Sequence, residues 1–138
     1  LRVLGDLNRF PKDIAKKSLE MIQTSKKNTQ ITVTFALNYG GRDEILRAVK
    51  KIVKSKTPAS KITEELFASN LDTHGIPDPD LIIRTGGDQR LSGYLPWQSV
   101  YSELYFTNTL FPNFTPQKLK QALKSFSTRN RRFGGNQL

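Results

Sequence analysis

The sequence has no cysteine, one histidine (His74), one methionine and one tryptophan among its 138 residues. Without cysteine there are no disulfides and no thiolate metal sites. A single histidine rules out a multi-histidine zinc centre within the chain. No apolar run approaches the ~18 residues expected of a membrane span, and no signal-peptide pattern opens the chain. Negative charge is missing from one entire end. Every Asp and Glu lies at or before Glu103, whereas Lys118, Lys120, Lys124, Arg129, Arg131 and Arg132 follow it.

The net charge is +10. Such an excess suits a polyanionic partner: nucleic acid, an anionic membrane face or a phosphorylated substrate. Taken by itself, charge is accounted for more simply by a solvated helical face that keeps the protein soluble. A length of 138 residues gives room for one domain over 1–138 with a single modest core.

Apolar patterning alternates between strand and helix. "LRVLG" is a short apolar run closed by glycine, and Pro11 then opens a helix with Ile14, Ser18, Met21 and Ile22 on one face. "QITVTFALN" is β-branched and aromatic and predicts a central strand. Gly40 and Gly41 make a turn into a helix with Asp43 and Glu44 in its first turn and a stripe of Ile45, Ala48, Val49, Ile52 and Val53. Ser60 or Thr63 can cap a shorter helix through Phe67. "HGIPDPD" is a loop before the strand "LIIRT", and "SELYFT" gives a fourth strand. Thr115 and Pro116 begin a last helix with Leu119, Ala122, Leu123 and Phe126 on its face. The alternation predicts an α/β fold: a mostly parallel sheet with helices on both faces. Ligands of such sheets collect beyond the carboxyl ends of the strands, where both glycine pairs, Gly40-Gly41 and Gly86-Gly87, fall.

"RTGGDQRLSGYLPWQSVYSE" (Arg84 to Glu103) is the densest chemistry in the chain. A strand ends in Arg84, two glycines follow, and Arg90 and Ser92 return after the turn. Two planar guanidinium forks and a hydroxyl around bare backbone amides make a receptor for an anion with several oxygens. A loop held by an Arg–Asp surface pair through Asp88 is the competing structure. Glu103, among bulky apolar residues, is either paired with an arginine or offered to a hard cation such as Mg²⁺. Asn38 and Tyr39 sit at another strand end, where turn chemistry explains them equally. Tyr94, Trp97 and Tyr101 either line an apolar pocket or form aromatic core. His74 reads as a loop residue with no catalytic duty.

"NYGGRDEI" (Asn38 to Ile45), "PDLIIRTGGDQRLSGYLPWQSVYSELYF" (Pro79 to Phe106) and "RRFGG" (Arg131 to Gly135) together resemble the cis-prenyltransferases, of the bacterial undecaprenyl diphosphate synthase type. The family pattern commonly has glutamate where Asp88 stands, histidine or arginine at Gln89, and asparagine at Gly93. The resemblance implies a cytoplasmic, homodimeric transferase at the inner face of the membrane, with peripheral membrane contact and no nucleic-acid partner. It would condense isopentenyl diphosphate onto an allylic diphosphate with cis geometry, making a long polyprenyl diphosphate.

On that resemblance Arg84, Arg90, Leu91 and Ser92 bind isopentenyl diphosphate, Glu103 binds Mg²⁺, and Asn38 and Asp88 line the site. Arg132 and Gly134 belong to a C-terminal motif that crosses the dimer. The family's phosphate loop and catalytic aspartate would lie upstream of Leu1. The chain is then the C-terminal portion of a longer domain, carries no catalytic residue itself, and is inactive alone. Two other readings remain: a non-catalytic subunit of a heteromeric cis-prenyltransferase, which would have little use for Arg84, Arg90, Ser92 and Glu103 together, and a basic nucleic-acid-binding domain, for which no recognised module appears.

Overall fold

Arg2–Leu4 form strand β1 and Thr34–Ala36 form β2, paired in parallel with Arg2 opposite Thr34 and Leu4 opposite Ala36. A computed structural model describes residues 1–130 of the chain; the expected dimer-crossing residues Arg132 and Gly134 lie outside them. The fold divides into two compact units, Leu1–Ile76 and Pro77–Leu138.

In the first unit, helix α1 (Lys12–Ser25) connects β1 to β2, helix α2 (Gly41–Lys54) follows β2, and the short α3 (Glu64–Ser69) precedes the loop to Ile76. Pro11 is the residue before α1 rather than its first, so its ring fixes the approach to the helix. Thr63 caps α3 by accepting from the Leu66 amide at 3.2 Å, while Ser60 falls in a 3₁₀ turn. The expected face of α1 is only partly covered. Ser18, Met21 and Ile22 line an apolar cavity of about 200 Å³ with Val3, Phe35 and Leu37, and no residue of α1 is buried.

Two expectations about this unit need correction. The central strand is much shorter than the apolar run suggested, and it pairs only with β1 among the described residues, which leaves Phe35 45% exposed. The buried face of α2 is also rotated. It consists of Gly41, Glu44, Ala48 and Ile52, while Val49 and Val53 are exposed. Apolar periodicity alone could not place a carboxylate on the inner face. Glu44 lies there because its oxygens are satisfied: the Tyr39 hydroxyl donates to one at 2.6 Å and the Asp72 amide to the other at 2.8 Å.

The second unit pairs β3 (Leu81–Arg84) with β4 (Glu103–Phe106), again in parallel, with Leu81 opposite Glu103 and Arg84 opposite Phe106. Helix α4 (Pro116–Ser127) starts at Pro116, packs near β4 and buries Ala122 completely. Leu119 and Leu123, expected on the same face, remain nearly half exposed. Ile82 and Leu95 are the other buried apolar residues among the described residues of this unit. Both pairings are parallel and helices intervene along the chain, so the fold class is α/β.

Gly5 ends β1 at φ +101°, and a Cβ built there would fall 2.2 Å from the Leu37 carbonyl oxygen. No side chain fits, and the backbone geometry itself favours glycine. Gly5→Ala is therefore expected to lower unfolding free energy by roughly 2–4 kcal/mol. Urea denaturation checks this; an unchanged midpoint would show that the two strand ends are not held so close.

A candidate anion-binding site at the end of β3

Arg84 is the last residue of β3, and the loop after it folds back over its guanidinium. Nη1 donates to the Ser92 hydroxyl at 3.0 Å and to the Arg90 carbonyl, and Nη2 meets Asp88 Oδ2 at 2.8 Å. Arg90 Nη2 reaches the same Asp88 oxygen, also at 2.8 Å. The two guanidiniums thus converge on a single acceptor. With one carboxylate between two cations, this cluster keeps one unit of positive charge in excess.

Depth differs between the two. The Arg84 side chain is 24% exposed and that of Arg90 is 66% exposed, so one cation is set into the loop and the other is presented to solvent. Beside them is a cavity of about 280 Å³ lined by Ile82, Ile83, Arg84, Thr85, Leu91 and Tyr94. Mostly apolar walls with a guanidinium at the rim suit a ligand that has an anionic head and a short hydrocarbon body. Leu91 and Tyr94 line this cavity, whereas Trp97 and Tyr101 do not, and Tyr101 is exposed.

The glycines do different work from that expected. Gly86 and Gly87 adopt φ +90° and +87°, but their amides are not bare. Gly86 donates to the Thr109 carbonyl at 2.9 Å and Gly87 to that of Thr107 at 3.0 Å. The left-handed pair ties the loop to the segment leaving β4, and so fixes the direction from which Asp88 and Arg90 return. Ser92 at φ +50°, Gly93 at +79° and Leu95 at +46° make the rest of the loop unusually left-handed. Non-glycine residues in that region are uncommon and gather where a loop must present a side chain in one direction.

Glu103 is engaged elsewhere. Its Oε2 accepts from Arg129 Nη1 at 2.6 Å, and the same nitrogen donates to the Leu104 carbonyl at 2.9 Å. Register puts Glu103 opposite Leu81, at the other end of the strand pair from Arg84. Three residue steps separate those ends, about 10 Å. Among the described residues no group of three or more His, Cys, Asp or Glu could hold a metal ion. Mg²⁺ commonly takes one or two carboxylates and completes its shell with water and phosphate oxygens; Glu103 offers one carboxylate, and its Oε2 is taken by Arg129.

Asn38 lies two residues beyond β2 in the first unit at φ +49°, and its side-chain amide donates to the Asp6 carbonyl at 3.2 Å. Near it in sequence lies a polar network that the sequence reading missed. Arg47 grips Asp72 with two hydrogen bonds of 2.6 Å and meets Asp43 at 2.8 Å, while the Gly5 amide donates to Asp72 at 3.0 Å. The Arg47–Asp43 pair is legible from its spacing of four on a helix; Asp72, 25 residues further on, carries no such signal. The Arg47 hydrogen bonds hold the Asp72 carboxyl below the ordinary carboxylate range against the opposing effect of burial, and the Gly5 amide adds to the lowering. Asp72 in turn pushes the Arg47 pKa further up. Asp43 is lowered as well, by its hydrogen bond to Arg47.

The comparisons agree with this architecture. A family model described as "Putative undecaprenyl diphosphate synthase" matches residues 1–134. The chain belongs to that family of prenyltransferases. It is 44% identical over 138 residues to an isoprenyl transferase of Chlamydia pneumoniae, covering 97% of this chain and 55% of that protein. With an isoprenyl transferase of Thermotoga maritima it shares 47% identity over 137 residues, covering 98% and 59%. Among solved structures, a probable undecaprenyl diphosphate synthase from Campylobacter jejuni superposes with a TM-score of 0.86 at 38% identity, over 97% of this chain and 62% of that one. The lavandulyl diphosphate synthase of Lavandula x intermedia, in complex with dimethylallyl diphosphate, gives 0.89 at 34% identity, over 97% and 59%. The chain thus spans somewhat more than half the length of the relatives it matches.

A depressed carboxyl pKa stabilises the fold above the unfolded value near 4, and the contribution is lost as pH falls through the folded value. Asp72→Asn should therefore cost about 1–3 kcal/mol at pH 7, allowing for partial solvent screening. The gap between variant and wild type should close as the pH is taken below 4. Denaturation series at several pH values measure this, and a gap independent of pH would contradict the assignment.

Proposed function

We propose that this chain is the isopentenyl-diphosphate-binding portion of a cis-prenyltransferase that condenses isopentenyl diphosphate onto an allylic diphosphate. The single observation that supports this most is the convergence of Arg84 and Arg90 beside an apolar cavity, in a chain that belongs to the family. In this reading the diphosphate of the nucleophilic substrate is held by Arg84, Arg90 and Ser92. Its five-carbon body rests against Leu91 and Tyr94. The allylic partner loses its diphosphate, the isopentenyl alkene attacks the carbon that is left electron-poor, and a proton departs to restore a double bond. Repetition would give a long cis-polyprenyl diphosphate, such as an undecaprenyl lipid carrier.

What this chain contributes is positioning. Fixing the isopentenyl head at two guanidiniums orients the alkene and makes attack effectively intramolecular. Arg84 is anchored in its loop by Ser92 and the Arg90 carbonyl, so little side-chain freedom remains to be lost on binding. Glu103 is the residue that would hold Mg²⁺, an ion that would neutralise diphosphate oxygens and assist the leaving group. Because Glu103 and Arg84 stand at opposite ends of their strand pair, a long ligand or a second copy of the chain must span the gap for the two to act together. A homodimer, with Arg132 and Gly134 reaching across, is the assembly this reading favours. No helix among the described residues is long and apolar enough to cross a membrane, so contact with a bilayer in this proposal is peripheral and follows from the basic C-terminal end.

Each charge-assisted hydrogen bond from a guanidinium contributes about 1.5–3 kcal/mol, so losing two predicts a fall in kcat/KM for isopentenyl diphosphate of about 10²–10⁴. Arg84→Ala and Arg90→Ala in the full-length protein should both show it in a radiolabelled incorporation assay. Wild-type kinetics in either variant would sink the reading.

A further inference from the structure

The donors assigned to the substrate are already occupied. Asp88 Oδ2 accepts from Arg84 and from Arg90, at 2.8 Å each. An anionic oxygen between two guanidiniums is the arrangement a phosphate oxygen would adopt there. We propose that Asp88 is a built-in stand-in for the substrate's phosphate: it holds Arg84 and Arg90 converged before binding and yields them when a diphosphate enters.

Three features of the loop support this. Asp88 is 44% exposed, so its carboxylate can leave for water without being stranded in an apolar interior. Arg84 does not need it to stay in place, because the Arg90 carbonyl and the Ser92 hydroxyl still hold that guanidinium. Arg90 is the opposite case: two-thirds exposed, it is drawn over Arg84 by their common partner. Without an intervening anion the two like charges repel one another. Asp88 therefore acts as a positioning residue with a cost attached, since an incoming ligand must outcompete it. A ligand with one negative oxygen gains little by that exchange, whereas a diphosphate offers several acceptors to the same forks. Asp88 thereby also favours diphosphates over singly charged anions.

The inference rests on the reading of this loop as a diphosphate site, and calorimetry on the full-length protein with inorganic diphosphate separates the two. Two partly exposed ion pairs are each worth a few-fold in affinity, so Asp88→Asn should bind inorganic diphosphate about three- to thirtyfold tighter. Its affinity should also fall more steeply with added salt, because one more cationic charge is uncovered. Asp88→Glu should return wild-type affinity, and thermal unfolding should confirm that both variants are folded. Equal or weaker binding by folded Asp88→Asn would overturn the stand-in role and make Asp88 a fixed brace. Folded wild-type protein that binds no diphosphate at all would overturn the site reading itself, and the stand-in with it.

Discussion

Two guanidiniums sharing one carboxylate oxygen is the constraint around which the second unit is arranged. Like charges separate unless something anionic lies between them, and here the loop supplies its own anion. The rest of the loop serves that geometry. Left-handed glycines tie it to the strand exit of β4, left-handed Ser92 turns its hydroxyl to Arg84, and the apolar cavity opens alongside. Remove the convergence and the loop is an ordinary connection with one surface ion pair.

The first unit solves a different problem by similar means. Gly5 and Leu37 bring two strand ends so close that only glycine fits. The Gly5 amide at that approach donates to Asp72, which Arg47 holds ionised. Glu44 on the inner face of α2 completes the arrangement by binding both Tyr39 and the Asp72 amide. Partial networks of this kind are destabilising, and full ones specify one structure. Asn38, just beyond β2, is tied to the same rim by its hydrogen bond to the Asp6 carbonyl.

Much of this was legible in the residues. The order of strands and helices, the cap at Thr63, the start of α4 at Pro116, the parallel pairing and the carboxyl-edge location of Arg84 all follow from local chemistry. The "RTGG" loop could be read as an anion site because charge, glycine and strand end coincide there. Long-range pairing was not legible. Nothing local says that Asp72 meets Arg47, that Arg129 takes Glu103, or that the Gly86 and Gly87 amides go to Thr109 and Thr107. The apolar stripe of α2 was misjudged by part of a turn for the same reason, since a buried carboxylate is invisible until its partners are known. Nor does local patterning show that Met21 on α1, Phe35 on β2 and Leu123 on α4 stay exposed among the described residues.

The most direct test of the account is a crystal structure of the full-length protein with isopentenyl diphosphate. It should place both Arg84 and Arg90 within hydrogen-bonding distance of the same diphosphate, with the hydrocarbon body against Leu91 and Tyr94. A ligand bound by only one of these arginines, or bound away from the end of β3, would contradict it.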